Sequence, residues 1–280
     1  MKNQVKKIDK LKKIATYSIL IFFALINIYP IFWMVMNSFK TENQIAINSF
    51  SLPESLNLSN YISAWNAVSL GRSFMNSFIV AGISVIITVS VGSLAAYFIS
   101  RFEFPGKKLI YSFFIFGLLV PIHGTLVPIF ILMRNIGLVN TRISLILPYV
   151  AFNLPLTIFI LSSFMKSLPK AVEEAAIVDG AGYLRIFWSI ILPMTRPALA
   201  TVGILNFVYN WNEFSFALVL INDSKLMTLP LSLSLFSGQF STDYGMQMAG
   251  LSMALVPIIA IYLLMEDQLV KGMSAGAVKG

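Results

Sequence analysis

The sequence predicts an all-α, polytopic membrane protein with six transmembrane helices and one cytoplasmic helix–Gly–helix loop. Three observations carry that expectation. Of 280 residues, 57% are hydrophobic and only 11% charged, whereas a soluble domain carries about 25% charged residues. Too few polar side chains are present to cover a water-exposed surface. Six apolar runs approach or exceed the roughly 20 residues that a bilayer requires. Between the fourth and fifth of these lies one long polar-to-amphipathic insert, Ser167 to Pro197, with the makings of its own folded structure.

Lys2, Lys6, Lys7, Lys10, Lys12 and Lys13 precede the first run, Ile14 to Met36. That run is too long for the apolar core of a secretory signal, and no small-residue cleavage site follows it. It reads as an uncleaved first span, kinked at Pro30, with Asn27 requiring a partner in the bundle. Residues 37–72 contain Pro53, Asn57, Asn60 and Trp65 and read as an external segment of turns with a short helix. The remaining spans are expected at 74–99, 109–133, 143–165, 197–221 and 247–265. The segmentation is therefore a tail, first span and external segment over 1–72, a five-helix core with its loop over 73–268, and a cytoplasmic tail over 269–280.

Charge orients these spans. The six N-terminal lysines, Arg101, Lys107, Lys108, Lys166, Lys170, Arg185, Arg196, Lys271 and Lys279 fall on one side. Only Lys40, Arg72, Arg134, Arg142 and Lys225 fall on the other. An excess of Lys and Arg marks the cytoplasmic face, so both termini and the 167–197 insert are expected there. The formal charge of +8 is accounted for by topology and anionic lipid headgroups, and no nucleic-acid partner is expected. With no cysteine and His123 as the only histidine, a thiolate or multi-histidine metal site is excluded.

Within the spans, Ser84, Thr88, Gly92 and Ala96 recur every four residues, a small-residue face that lets another helix approach closely. Pro121, His123, Gly124 and Pro128 predict a bent or broken third span. Asn206, Asn210 and Glu213 recur at i, i+4 and i+7, so one face of the fifth span is polar. Glu213 falls about 24 Å along a helix begun at Pro197, in the outer half of the membrane. Such a face either lines a substrate path or joins neighbouring helices by hydrogen bonds.

In the insert, Pro169 suits a first helical turn. Glu173 and Glu174 follow where carboxylates favour the positive end of the helix dipole. Ala175 and Ala176 are strong helix formers. Gly180 and Gly182 are expected to stop that helix and allow a corner. A second helix, Tyr183 to Ile191, presents Ile186, Phe187 and Ile190, and Pro193 is expected to end it.

Glu174-Ala175-Ala176, three residues, Gly180, nine residues, Ile190, one residue and Leu192-Pro193 together resemble the EAA motif of ABC-importer permeases. Trp211-Asn212-Glu213-Phe214, Gly137-Leu138-Val139-Asn140-Thr141, Leu147-Pro148, Thr228-Leu229-Pro230 and the tail Gly272 to Gly280 are similar to segments of the maltose-type carbohydrate permeases. These matches cover most of residues 70–280, with Glu266-Asp267 a departure where relatives often carry a basic residue. The resemblance implies that the insert docks on a separate ATPase, through Glu174, Ala175, Ala176, Asp179, Gly180, Ile190, Leu192 and Pro193. On the polar face of the fifth span, with the segment that carries part of this resemblance, Asn206, Asn210, Asn212 and Glu213 are the candidate substrate-path residues, interhelical hydrogen bonding being the alternative role. The resemblance also implies two ATP-binding subunits, a second related permease chain, an extracytoplasmic solute-binding protein and a sugar substrate, in a bacterial inner membrane.

No phosphate-binding G-x-x-x-x-G-K-[ST] loop, H-E-x-x-H or G-x-S-x-G occurs in the chain, so no ATP site or hydrolytic centre is expected in it. ATP and Mg would be bound by the partner subunits, and this chain would be a transport subunit without a cofactor of its own. The alternative class is an ion- or proton-coupled secondary transporter titrating Glu213 and His123.

Overall fold

A computed structural model describes residues 2–236 and 243–277, with side chains described over 10–236 and 243–264. Residues 278–280 of the expected C-terminal motif lie outside the described residues, as do the side chains of Glu266 and Asp267. The helices, in order, are α1 (Lys2–Asn37), α2 (Glu42–Ile47), α3 (Ser59–Ala67), α4 (Leu70–Arg101), α5 (Lys107–Gly117) and α6 (Leu126–Asn135). There follow α7 (Ile143–Ser167), α8 (Ala171–Val178), α9 (Tyr183–Ile186), α10 (Leu192–Met194), α11 (Arg196–Asn212), α12 (Ser215–Leu220), α13 (Leu229–Ser234) and α14 (Tyr244–Ala277). Among the described residues, four helices are long and apolar enough to cross a membrane alone, and up to six spans result if each sharply bent pair counts as one.

Two compact units are distinguished. One comprises Met1–Val68 and Leu235–Leu255. Here α1 runs through Pro30 without ending. Among the described residues Asn27 finds no hydrogen-bond partner on another helix; its Nδ2 donates to Phe23 O at 2.7 Å, one turn back. The expected external segment holds two short helices, and Thr41 and Gln44 close a reciprocal cap at the start of α2. Asn60 Nδ2 donates to Ser38 O and Lys40 O, while the buried Lys40 Nζ donates to Asn48 O and Ser49 O at 3.2 Å each. Burial lowers the Lys40 pKa below its ordinary value.

The other unit comprises Ser69–Ser234 and Val256–Gly280, and α4 with α7 forms its principal helix pair. The small-residue face is packed, as expected: Ser84, Thr88, Gly92 and Ala96 are all buried, and at Gly92 the neighbour is α7. A Cβ on Gly92 would stand 2.7 Å from Thr157 Cγ2, so the helices touch where that side chain is missing. Gly92→Leu should force them apart at a cost of about 1–3 kcal/mol. A lowered thermal midpoint of the detergent-purified chain checks this, with Gly82→Leu as control, because nothing lies within 4 Å of a Cβ at Gly82.

Two of the expected spans differ from continuous helices. The third is α5 and α6 with a 3-10 turn, Ile122–Thr125, between them, bent by 95°. Pro121 has no N–H to continue α5, and Pro128 sits in the first turn of α6, where none is needed. The fifth does not run unbroken to residue 221. Helix α11 stops at Asn212, Glu213 is extended at φ −69° and ψ 129°, and α12 begins two residues later. The carboxylate of Glu213 itself takes the freed backbone donors of α12, from Phe216 N at 2.7 Å and Ala217 N at 3.3 Å.

Candidate coupling loop and polar seam

Helix α8 begins at Ala171 with Lys170 as N-cap, two residues after Pro169. Glu173 and Glu174 occupy its first turn, where they complement the dipole. Its end is closed by two backbone bonds, Ala181 N to Ala176 O and Gly180 N to Ile177 O, both 2.9 Å. This pairing requires a left-handed residue at the corner, and Gly180 has φ +79°. Gly182, expected to share that task, is extended at φ −73°, a conformation open to any residue. Gly180 alone turns the corner.

The second arm does not end at Pro193. Helix α9 passes into a π-helical turn, Phe187–Ile191, and α10 runs through Pro193 to Met194. Leu192 N donates to Phe187 O, five residues back, and that wider turn accommodates a residue lacking an N–H. The chain turns only at Thr195, with 77° between Tyr183–Met194 and α11.

The loop has two unlike faces. Ala176, Ile186, Phe187 and Ile191 are buried with Tyr97, Leu161 and Met165, and the half-buried Ile190 and Leu192 pack against them. Of the alanine pair, Ala176 therefore faces inward and Ala175 outward. Glu174, Asp179, Gly180 and Pro193 are exposed. So are apolar side chains that the motif does not include, Val178 at 86% and Leu184 at 65%. Asp179 caps the C-terminal end of α8, where a carboxylate opposes the dipole, and no cation lies within 4.0 Å of it among the described residues. A charged and apolar surface, with Lys170 and Arg185 exposed beside the carboxylates, on an anchored helix is suited to a protein groove.

What anchors it electrostatically was not legible in the spacing. Arg101, the last residue of α4, pairs its Nε with Glu173 Oε1 at 2.5 Å, the side chains being 5% and 13% exposed, and Nη2 donates to Leu168 O at 3.3 Å. Burial raises the Glu173 pKa and the Arg101 charge opposes that shift. Removing either partner strands the other, at about 3 kcal/mol. Arg101→Gln and Glu173→Gln should each speed hydrogen exchange of the amides of 171–186. The swapped pair Arg101→Glu with Glu173→Arg should restore protection, and additive losses would show the pair does not hold the loop.

The polar face of α11, together with Glu213 just beyond its end, meets α7 in a ladder. Asn206 Nδ2 donates to Thr157 Oγ1 at 2.9 Å, Asn153 Nδ2 to Asn210 Oδ1 at 2.7 Å, and Tyr149 OH to Glu213 Oε2 at 2.6 Å. The donors and acceptors on α7 also recur every four residues, and their count of one per turn matches α11 in the opposite direction. Asn206, Asn210 and Glu213 are buried, and Asn212 is not: its Nδ2 donates to Val208 O and its side chain is exposed. Asn212 and Glu213 border an open hollow of about 480 Å³ with His123, Tyr209 and Ser215, beside the breaks of the third and fifth spans.

With this geometry in view, the comparisons with known proteins define the class. The family of binding-protein-dependent transport system inner membrane components matches residues 88–274, and the chain belongs to that multi-pass membrane family. A binding-protein-dependent system is a different class from the secondary transporter considered for Glu213 and His123. The chain is 42% identical to the probable ABC transporter permease protein YurM of Bacillus subtilis, over 90% of this chain and 84% of that relative. It is 38% identical to the diacetylchitobiose uptake system permease protein NgcG of Streptomyces coelicolor, over 93% and 87%. Identity to the trehalose/maltose transport system permease protein MalG of Thermococcus litoralis is 36%, over 97% and 99%. Among solved structures, a bacterial ABC transporter involved in import of the acidic polysaccharide alginate shares the fold, with TM-score 0.81 at 23% identity over 92% of this chain and 96% of that one.

Proposed function

We propose that the chain is the permease subunit of a binding-protein-dependent ABC importer that carries an oligosaccharide into the cytoplasm. The observation that carries this is the two-faced loop: its inner face is fixed to α4 and α7, and its outer face offers Glu174, Ala175, Asp179 and Val178 to another protein. The relatives named for diacetylchitobiose and for trehalose/maltose support the sugar class. ATP and Mg would be held by two ATP-binding subunits that dock on this face, with a second permease chain alongside and an extracytoplasmic solute-binding protein delivering the sugar. Closing of the ATPase dimer would favour one of two arrangements of the spans, as alternating access requires. Along the path, Asn212 and Glu213 border the hollow, while Asn206 and Asn210 stiffen its wall.

The location is the bacterial inner membrane with both termini cytoplasmic, supported by the asymmetry of Lys and Arg. In this cysteine-free chain, Ser224→Cys should be labelled from outside intact cells and Ser167→Cys only after lysis. Both positions are exposed, and the reverse pattern would place the loop on the wrong side for an ATPase. Reconstitution with the second permease chain, the partner ATPases and the binding protein tests transport: uptake should require all three partners and ATP.

A further inference from the structure

An open hollow of about 640 Å³ lies between the start of α5 and the end of α7. Its lining is apolar and predominantly cationic, with Ile99, Phe104 and Leu109 beside Lys107, Lys108 and Lys166 and a single carboxylate, Glu103. One of these cations is answered: Lys107 Nζ donates to Glu103 Oε1 at 2.7 Å. Lys166 Nζ stands 5.2 Å from the ring centroid of Tyr111. Among the described residues, no carboxylate lies within 4.0 Å of Lys108 or Lys166. Cations that share one hollow repel each other, and an anion between them reverses the sign of that interaction.

The depth of the hollow points to the source of the anion. Lys107 opens α5 and Ser167 closes α7, so the hollow sits where apolar spans give way to polar loops. One turn further along α5, Leu109 and Phe113 occupy one face at i and i+4 and are exposed. A free inorganic anion has no use for that apolar face, whereas the acyl chains of a lipid do. Basic pockets between helices at this depth suit anionic headgroups.

We propose that this hollow binds the phosphate headgroup of an anionic phospholipid of the cytoplasmic leaflet. Lys108 and Lys166 hold the phosphate, and the acyl chains run along Leu109 and Phe113. The leaflet, though not the phosphate chemistry, rests on the orientation proposed above. A bound headgroup bridges α5 to α7, whose next residues enter the coupling loop, so the lipid steadies the root of that loop.

The test is native mass spectrometry of the purified full chain, titrated with phosphatidylglycerol or phosphatidylcholine, with and without excess inorganic phosphate. The unmodified chain should retain phosphatidylglycerol in preference to phosphatidylcholine, little displaced by inorganic phosphate. Lys108→Gln with Lys166→Gln should weaken retention roughly thirtyfold, from about 1 kcal/mol for each lysine near a membrane surface. Lys108→Arg with Lys166→Arg, which keeps both charges, should retain the lipid and shows that the site tolerates substitution. Lys10→Gln with Lys12→Gln removes the same charge from the tail and should weaken retention far less. Equal retention of both lipids, an equal loss in the tail variant, or full displacement by inorganic phosphate overturns the lipid site. Binding is read without transport, so an importer that fails in reconstitution leaves this result standing, and a lipid-indifferent importer overturns the site alone.

Discussion

Gly180→Val should leave the protein inserted in the membrane yet reduce sugar uptake by the assembled complex at least tenfold. Gly180 holds φ +79°, with nothing within 4 Å of the place a Cβ would take, so backbone strain and not crowding is the obstacle. A left-handed conformation costs an L-residue roughly 1–2 kcal/mol, and a β-branched one more. Each 1.4 kcal/mol is about tenfold in the population of the closed corner. Losing that corner frees α8 from its two terminal bonds and misplaces Glu174 and Val178 together. Gly180→Asn, which tolerates the left-handed region, should retain most uptake. Glu174→Lys leaves the corner intact and reverses the exposed charge, so it should lose uptake by weakened docking. Pull-down of the ATPase and reconstituted uptake from one preparation read both effects. Wild-type transport by Gly180→Val and Glu174→Lys alike would remove the loop from the mechanism.

Much of this was legible because membrane sequences are constrained at the level of length and side-chain size. The apolar runs gave four helices long enough to span alone and two more only where a bent pair counts as one span, the four-residue recurrence of Ser84, Thr88, Gly92 and Ala96 gave a face of close helix approach, and Pro121 gave the broken third span. The corner of the loop was legible because glycine is favoured in the left-handed conformation that Gly180 adopts at φ +79°, although spacing alone did not separate Gly180 from Gly182. Periodicity located the polar face of α11 but not its partners. Tyr149, Asn153 and Thr157 lie in an apolar run, and nothing local marks them until α7 is set antiparallel to α11. Arg101 and Glu173 were hidden for a similar reason, being 72 residues apart in sequence and each explained by a simpler local role. The break at Glu213 was missed because Trp211 to Phe214 contains no proline or glycine; the helix ends there by the carboxylate's capture of the N–H groups of Phe216 and Ala217.

That capture makes Glu213 the residue whose loss should cost the fold most. Glu213→Leu leaves the buried Tyr149 OH and two backbone N–H groups at the head of α12 without their acceptor. A single interhelical side-chain bond in a membrane averages only about 0.6 kcal/mol, which is the loss to expect from Tyr149→Phe. The backbone donors weigh more, because each buried, unsatisfied N–H costs about 1–3 kcal/mol. Glu213→Leu is therefore expected to destabilise by roughly 3 kcal/mol or more and to lower the amount of assembled complex in the membrane. Glu213→Gln keeps one acceptor oxygen and the side-chain length, so it should assemble and be impaired in uptake instead. Asn210→Leu, which strands only Asn153 Nδ2, should fall between them in stability. Quantitative recovery of the complex from membranes, alongside uptake per assembled complex, separates the two roles. Normal assembly of Glu213→Leu would show that the break is held by packing around Trp211 and Phe216 and not by the carboxylate.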